Sequence, residues 1–236
     1  MRAIRFSFFQ MVRTMRRDMM LFVSCFVPIF AGLFFRFAIP FLEDVFLIRF
    51  RMAAVISPYY RLMDIFLAML SPAMFCFVSA MISLEEADEK TAAYLFITPL
   101  GKTGYLSARL GVPAAAAFLI TVFLLPVFRL TDLSLSAILL FAAGGTMQGM
   151  IAALLIVTIS SNRLEGMAVA KLSMLPVVGA VIPFFIGENI QYVLSWLPSF
   201  WIGKAAHENR LVYMLPAFAL SAVWIGFLFK RYLRKM

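Results

Sequence analysis

Long apolar runs, each bounded by short polar segments, are the dominant pattern along the chain. A run of about 20 apolar residues is long enough to cross the hydrocarbon core of a bilayer as a helix. Helices are the natural prediction, because every backbone N–H and C=O group in lipid needs an internal partner. We therefore expect an all-α polytopic membrane protein with six transmembrane helices, at Met19–Leu42, Leu62–Leu84, Ala108–Phe128, Leu135–Ile159, Met167–Gly187 and Leu211–Phe229.

Continuous apolar runs also argue against a β-barrel, whose strands alternate between apolar and polar residues. Prolines interrupt several of the runs and are expected to kink the helices rather than end them. They are Pro28, Pro72, Pro113, Pro176 and Pro183.

The composition supports burial in lipid. Apolar residues make up 64% of the chain, charged residues only 14%, and the mean hydropathy is +0.96. A water-soluble domain of 236 residues leaves too much surface exposed to hide that much apolar area.

The distribution of basic residues predicts the orientation. The N-terminal segment, the second and fourth connections and the C-terminal tail carry more Lys and Arg than the opposite segments. By the positive-inside rule, both termini lie in the cytoplasm and the protein resides in the bacterial cytoplasmic (inner) membrane. The net charge of +9 then reflects contact with membrane lipids, not nucleic acid. Arg36 and Lys171 fall inside the predicted spans, near their ends, and are expected to snorkel.

The sequence gives little support for a metal site or a disulfide bond. Cys25 and Cys76 lie in separate apolar runs, and His207 is the single histidine. That content excludes the common zinc motifs and a disulfide framework. We expect no cofactor in this chain.

Residues 1–18 alternate bulky apolar residues with five arginines. This pattern predicts a helix lying in the membrane interface; the alternative is a basic flank that only fixes the topology.

Residues 85–101 are the most informative segment. Four acids, Glu85, Glu86, Asp88 and Glu89, precede a stretch of good helix formers, and Pro99 and Gly101 then end it. The segment predicts a short cytoplasmic helix, in which Glu86 and Lys90 have the spacing of a favourable pair. It is either a solvated helix end or a docking surface for a cytosolic partner, and the spacing alone supports both equally.

The order of these elements resembles the permease subunit of type-2 ATP-binding-cassette (ABC) exporters. That family has an interfacial helix, six spans and a coupling helix between the second and third spans, with acids, Gly-Thr, an apolar helix and a small-residue–Pro–Leu turn. The segment here matches except at Lys90, where glycine is usual. The resemblance implies a single transmembrane permease domain over residues 1–236 and contact with a cytosolic ABC ATPase through Glu85, Glu86, Asp88, Glu89, Thr91, Leu95, Thr98 and Pro99.

The energy source is expected to lie outside the chain, because the sequence contains no G-x-x-x-x-G-K-[ST] phosphate loop. ATP and Mg would then be held by the ATPase subunit. The resemblance also implies pairing with a second permease, identical or homologous.

Several residues are candidates for a substrate path through the spans. Gln148 is expected to form an interhelical hydrogen bond, with lining of the path as the second interpretation. Met74 and Phe77 belong to an apolar face that fits either an adaptable path or ordinary packing. Gly145 and Gly149 form a G-x-x-x-G pattern that permits close helix approach. Residues 188–210 are predicted to form an extracellular loop with interfacial aromatic residues or short re-entrant helices.

The resemblance implies an exporter of hydrophobic or amphipathic cargo. Two other classes of protein are the alternatives. A membrane-embedded lipid-modifying enzyme needs converging nucleophiles or metal ligands at membrane depth. An ion-coupled secondary transporter normally needs ionisable groups near the midplane. The predicted spans contain few such groups.

Overall fold

The computed structural model describes residues 2–50, 54–96, 101–187 and 189–235, and within these ranges the regular structure is entirely helical. Five helices are long and apolar enough to cross a membrane: Met19–Arg49, Ser57–Asp88, Gly104–Phe128, Leu135–Ile159 and Leu211–Lys235. They correspond to five of the six predicted spans. The all-α prediction is confirmed for the described ranges.

The first long helix runs further than predicted. It consists of α2 (Met19–Ser24), α3 (Val27–Leu33), a π-helical turn (Phe34–Ala38) and α4 (Ile39–Phe50). Pro28 stands at the start of α3, where a missing backbone N–H costs nothing. Arg36 donates a hydrogen bond to the carbonyl of Arg129 (2.9 Å), so this predicted snorkelling residue is tied to a neighbouring connection.

The core is built on α5 (Tyr60–Asp88) and α9 (Leu135–Ile159), which pack along each other and are mostly buried. Gly145 and Gly149 of the G-x-x-x-G pattern face α5. A Cβ at Gly145 would overlap the carbonyl oxygen of Ala68. That carbonyl lacks its usual helical donor, because the residue four positions later, Pro72, has no backbone N–H. The pattern therefore serves packing within the chain, and small residues allow a Cα–H group to approach that carbonyl.

The remaining elements surround this pair. The chain begins with α1 (Arg2–Arg17), and α6 (Thr91–Phe96) and α7 (Gly101–Leu106) connect α5 to a π-helical turn (Ser107–Gly111) and α8 (Val112–Phe128). A 3-10 turn (Leu211–Tyr213) leads into the last helix, α13 (Met214–Lys235). A helix is present where the N-terminal interfacial helix was predicted, its Met11 is buried in the core, and its position in the membrane interface stays a prediction.

The fifth predicted span, Met167–Gly187, is not one continuous helix. It is divided into α10 (Arg163–Ser173), a 3-10 turn (Leu175–Ala180) and α11 (Ile182–Phe185). Pro176 and Pro183 stand at the starts of the second and third pieces, because proline is favoured at a helix start and breaks a helix interior. The described part of the chain therefore contains five helices long and apolar enough to cross a membrane, and a sixth crossing stays a prediction.

The segment predicted as an extracellular loop is largely folded into the protein. It forms a 3-10 turn (Asn189–Leu194) and α12 (Pro198–His207), in which Phe200 and Ile202 are fully buried. Trp224 Nε1 donates to the carbonyl of Trp196 (3.4 Å), and Trp224 lies ten residues into α13. At 1.5 Å per residue, Trp196 is roughly 15 Å below the start of α13. The segment thus contains short helices packed against α13, and whether they re-enter the membrane stays a prediction.

Candidate functional site

The bundle has two distinguishable ends. At the end that we name the terminal end, Asp18, Asp88, Arg163 and Lys235 lie together; at the opposite, or loop, end lie Asp64 and Thr131. The terminal end holds the segment that the sequence singled out.

A sharp turn separates α5 from α6. The amide of Glu89 donates to the carbonyl of Glu85 (3.0 Å) and that of Lys90 to Ala87 (3.1 Å), and Lys90 has a φ of 58°. That left-handed conformation is unstrained in glycine and costs other residues energy. Lys90 thus has a backbone conformation that glycine, the usual residue here in the resembling family, adopts without strain. Because Lys90 leaves the helix, the predicted pairing of Glu86 with Lys90 is wrong: Glu86 pairs with Arg109 instead.

Glu86 is the centre of a buried polar network at the foot of α5. Arg109 Nε donates to its Oε2 (2.9 Å), a second guanidinium nitrogen contacts Oε1, and the Tyr105 hydroxyl donates to Oε2 (2.9 Å). The side chain of Arg109 is 1% exposed. A buried guanidinium is tolerated only when paired in this way. Arg109 lies in the π-helical turn that begins the third long helix, a deformation often found at functional positions.

A second polar cluster joins Asp18, which lies between α1 and α2, to the end of α5 and the start of α10. Arg163 forms ion pairs with Asp18 and with Glu85 (3.3 Å), and its backbone N–H donates to Asp88 Oδ2 (2.9 Å). Asn162 caps the same helix by accepting from the amide of Glu165 (2.9 Å). Arg163 thereby ties three separate segments at one point.

Electrostatics favour the charged forms of Asp18 and Arg163. Burial alone would raise the pKa of Asp18, but hydrogen bonds from Arg163 and from the amides of Leu21 and Met20 lower it below 3.8. The hydrogen bond to Asp18 raises the pKa of Arg163. Asp18 also caps the start of α2, where a carboxylate is favoured by the helix dipole.

The acids predicted to contact a partner fall into two groups. Glu85 and Glu86 turn inward to the two arginines, whereas Asp88 and Glu89 are exposed. The Thr91 hydroxyl donates to the carbonyl of Glu86 (3.0 Å), which fastens α6 to α5. Leu95 lies in α6, next to the exposed Tyr94, and the predicted contacts Thr98 and Pro99 lie outside the described residues.

The candidates for a substrate path are separated from this end. Gln148 is buried and donates to the Ser221 hydroxyl of α13 (3.3 Å), so the expected interhelical hydrogen bond is present. Met74 and Phe77 are half-buried on α5. Whether any of the three contacts cargo stays a prediction.

Sequence reasoning missed the two arginines that organise the site. Both Arg109 and Arg163 were counted only as basic residues of cytoplasmic connections. The four neighbouring acids were the available signal, since such a cluster needs cations nearby, but their partners are 23 and 78 positions along the chain. No local spacing rule covers such distances.

A family model matches residues 11–229, and its description is the Rv2686c-like fluoroquinolones export permease protein. Neither the comparison with curated proteins nor that with solved structures gives a match. The family match covers nearly the whole chain, including all five long helices apart from the end of the last. It agrees with the resemblance to ABC exporter permeases drawn from residues 85–101. The chain belongs to the Rv2686c-like family of export permeases, and it is a membrane transport subunit.

Proposed function

We propose that this protein is the transmembrane subunit of an ATP-driven ABC exporter that moves hydrophobic or amphipathic cargo across the bacterial cytoplasmic membrane. A separate cytosolic ATPase would supply ATP and Mg, and a second permease, identical or homologous, would complete the transport unit. The observation that carries the proposal is the short helix α6, which is hinged at Lys90 and fastened to the core through Glu86.

The connections of α6 offer a mechanical route into the bundle. A displacement of α6 acts on the Glu86 carbonyl through Thr91, and the Glu86 carboxylate is held by Arg109. Arg109 leads into α8, and its carbonyl accepts from Ser79 of α5. Movement of α6 by ATPase closure would therefore be transmitted to two long helices together. Rigid-body movement of packed elements is a common basis for such switches.

The exposed acids of this segment are the proposed ATPase contacts. Asp88 and Glu89 are exposed beside α6, although Asp88 also accepts from the backbone N–H of Arg163, whereas Glu85 and Glu86 pair with the two arginines. Leu95, Thr98 and Pro99 complete the proposed contact. With both termini in the cytoplasm, the terminal end faces the ATPase.

The cargo class follows from the family description, which names fluoroquinolones for its relatives. These are flat aromatic carboxylates with amphipathic character, and they fit a path of adaptable apolar side chains such as Met74 and Phe77. Gln148 would offer a polar group along that path.

The buried acids of the described residues support an exporter over an ion-coupled transporter. Asp64 accepts hydrogen bonds from the amides of Leu130 (2.7 Å) and Thr131 (3.0 Å) at the loop end. Glu43 accepts from the amide of Ser57 (3.0 Å) at the same end. Asp64 binds these amides through both oxygens and Glu43 binds Ser57 through one, and both carboxylates lie at the loop end, away from the middle of the bundle.

Glu89 provides the test. Glu89→Arg should abolish copurification of the ATPase and drug transport by coexpressed subunits, while the thermal midpoint of the permease is unchanged. Asp132→Arg, a charge reversal of another exposed acid at the loop end, is the matched control and should retain both properties. Full ATPase binding and transport by Glu89→Arg would overturn the proposed contact.

A further inference from the structure

A cavity of about 300 Å³ lies at the terminal end, between the ends of α5, α9 and α13. Its walls are mainly apolar, with Leu84 from α5, Val157 from α9 and the buried Tyr232 from α13 among them. A volume of this size lies at the lower end of the range for small-molecule pockets. Lys90, Ala92 of α6 and Tyr105 also line the cavity, so it adjoins the connections of α6 described above.

Two lysines give the cavity a positive rim. Lys90 projects from the left-handed turn, and Lys235 comes from the last turn of α13. The Lys235 ammonium donates to the carbonyls of Val157 (2.9 Å) and Thr158 (3.3 Å) and to that of Ser160. It is thus fixed at the C-terminal end of α9. Both cations border the cavity, and no Asp or Glu does so among the described residues.

A buried hydroxyl beside the lysines lacks a protein partner. Ser160 lines the cavity at 1% exposure, and its Oγ has no hydrogen-bond partner among the described residues. Buried polar groups are nearly always paired, so an unpaired one beside a cavity indicates a missing ligand or water. The Ser160 hydroxyl is able to donate one hydrogen bond to such a ligand.

We infer that this cavity is a binding site for an amphiphile with an anionic head, which would lie near Lys90, Lys235 and Ser160 while its apolar body contacts Leu84 and Val157. The cavity lies where α5 and α9 end, so its mouth is at the level of lipid headgroups in the predicted orientation. An acidic phospholipid and a carboxylate-bearing drug share this chemistry. Binding of a lipid at this site is independent of the proposed transport function, whereas binding of a drug rests on it.

The experiment measures binding of both probes to the purified chain in neutral detergent. Native mass spectrometry follows dioleoylphosphatidylglycerol, with dioleoylphosphatidylcholine as the neutral-headgroup comparison, and fluorescence anisotropy follows ciprofloxacin. Lys90→Gln removes one cation, and Ala92→Trp fills the cavity without changing charge. Lys171→Gln is the matched control, because Lys171 is exposed and lies outside the cavity.

Each lysine near a headgroup contributes enough for about a fivefold change in affinity. We expect Lys90→Gln to weaken binding of at least one probe about fivefold and Ala92→Trp to weaken it more, with Lys171→Gln unchanged. The probe that responds identifies the source as lipid or drug. If neither probe binds the unmodified chain, or if all three variants bind like it, the inference is overturned. The lipid result stands whether or not ATPase-driven transport is observed, so failure of one proposal does not imply failure of the other.

Discussion

Glu86 and Arg109 form a buried ion pair that joins the end of α5 to the π-helical turn before α8. The same carboxylate accepts from Tyr105, and the carbonyl of Glu86 accepts from Thr91 of α6. One residue therefore links α6 to the interior. Its neighbour Glu89 has no such role and points outward.

Glu86→Ala should destabilise the fold strongly. The substitution leaves the Arg109 guanidinium buried without its counter-ion, and removal of one partner of a buried pair costs about 3 kcal/mol or more. The free energy of unfolding, measured by denaturing titration of the purified chain, should fall by that amount. Glu89→Ala is the control and should leave it within about 0.5 kcal/mol, as exposed substitutions do. Equal effects of the two would show that the ion pair does not stabilise the fold.

Lys90→Gly should stabilise the protein. The φ of 58° at this position costs a residue with a Cβ roughly 1 kcal/mol or more, and glycine avoids that cost. The greater freedom of glycine in the unfolded chain offsets part of the gain. We expect a higher thermal midpoint, whereas Ala87→Gly, inside the last turn of α5, should lower it. A lower midpoint for Lys90→Gly would mean that the turn is not left-handed.

Gly145→Ala should separate the central helices. Its Cβ would overlap the Ala68 carbonyl, so the backbones of α5 and α9 must move apart. Overpacking of this kind costs about 1 to 3 kcal/mol. Gly226 has open space around its Cα, and Gly226→Ala is the matched control for helix propensity. The free energies of unfolding of both variants test the contact, which is disproved if Gly145→Ala is as stable as Gly226→Ala.

The depth of Trp196 distinguishes a re-entrant segment from a surface loop. In a variant that keeps Trp196 and carries Trp201→Phe and Trp224→Phe, fluorescence should be quenched by lipids brominated along the acyl chain. Its exposed ring and its position roughly 15 Å below the start of α13 place it at acyl-chain depth. Stronger quenching by aqueous iodide than by brominated lipid would contradict this placement.

Acid should loosen the cluster around Arg163. The pKa of Asp18 is lowered in the folded protein, so the unfolded chain binds more protons as the pH falls. The stabilisation by Asp18 is complete above its usual pKa of 3.8 and is lost as the pH falls through the lower folded value. Stability measured from pH 6 to pH 2.5 should therefore fall less in Asp18→Asn than in the unmodified chain. Parallel pH profiles would show that Asp18 is unpaired.

The sequence predicted most of the helical architecture because the apolar runs needed to cross a bilayer are long and continuous. It placed Leu135–Ile159 at the bounds that the structure has. It failed at residues 167–187, since composition alone does not reveal that Pro176 and Pro183 break the segment into pieces rather than bend it.

The sequence predicted where the candidate site lies along the chain but not how its side chains are arranged. Its acids and its turn were visible in residues 85–101, but their division into inward and outward groups was not. That division depends on Arg109 and Arg163, whose approach to α5 is fixed by tertiary packing. The left-handed turn at Lys90 was equally hidden, because lysine gives no local signal for it.

The interrupted segment from α10 to α11 has a consequence for biogenesis. The backbone N–H and C=O groups at the breaks between its pieces lack the partners that one continuous helix would supply. One of these groups, the carbonyl of Pro176, accepts a hydrogen bond from the Ser199 hydroxyl of α12. Residues that emerge later from the ribosome thus complete an earlier part of the chain. We therefore expect integration of this region to be completed only after synthesis of α12, rather than by one independent insertion followed by another.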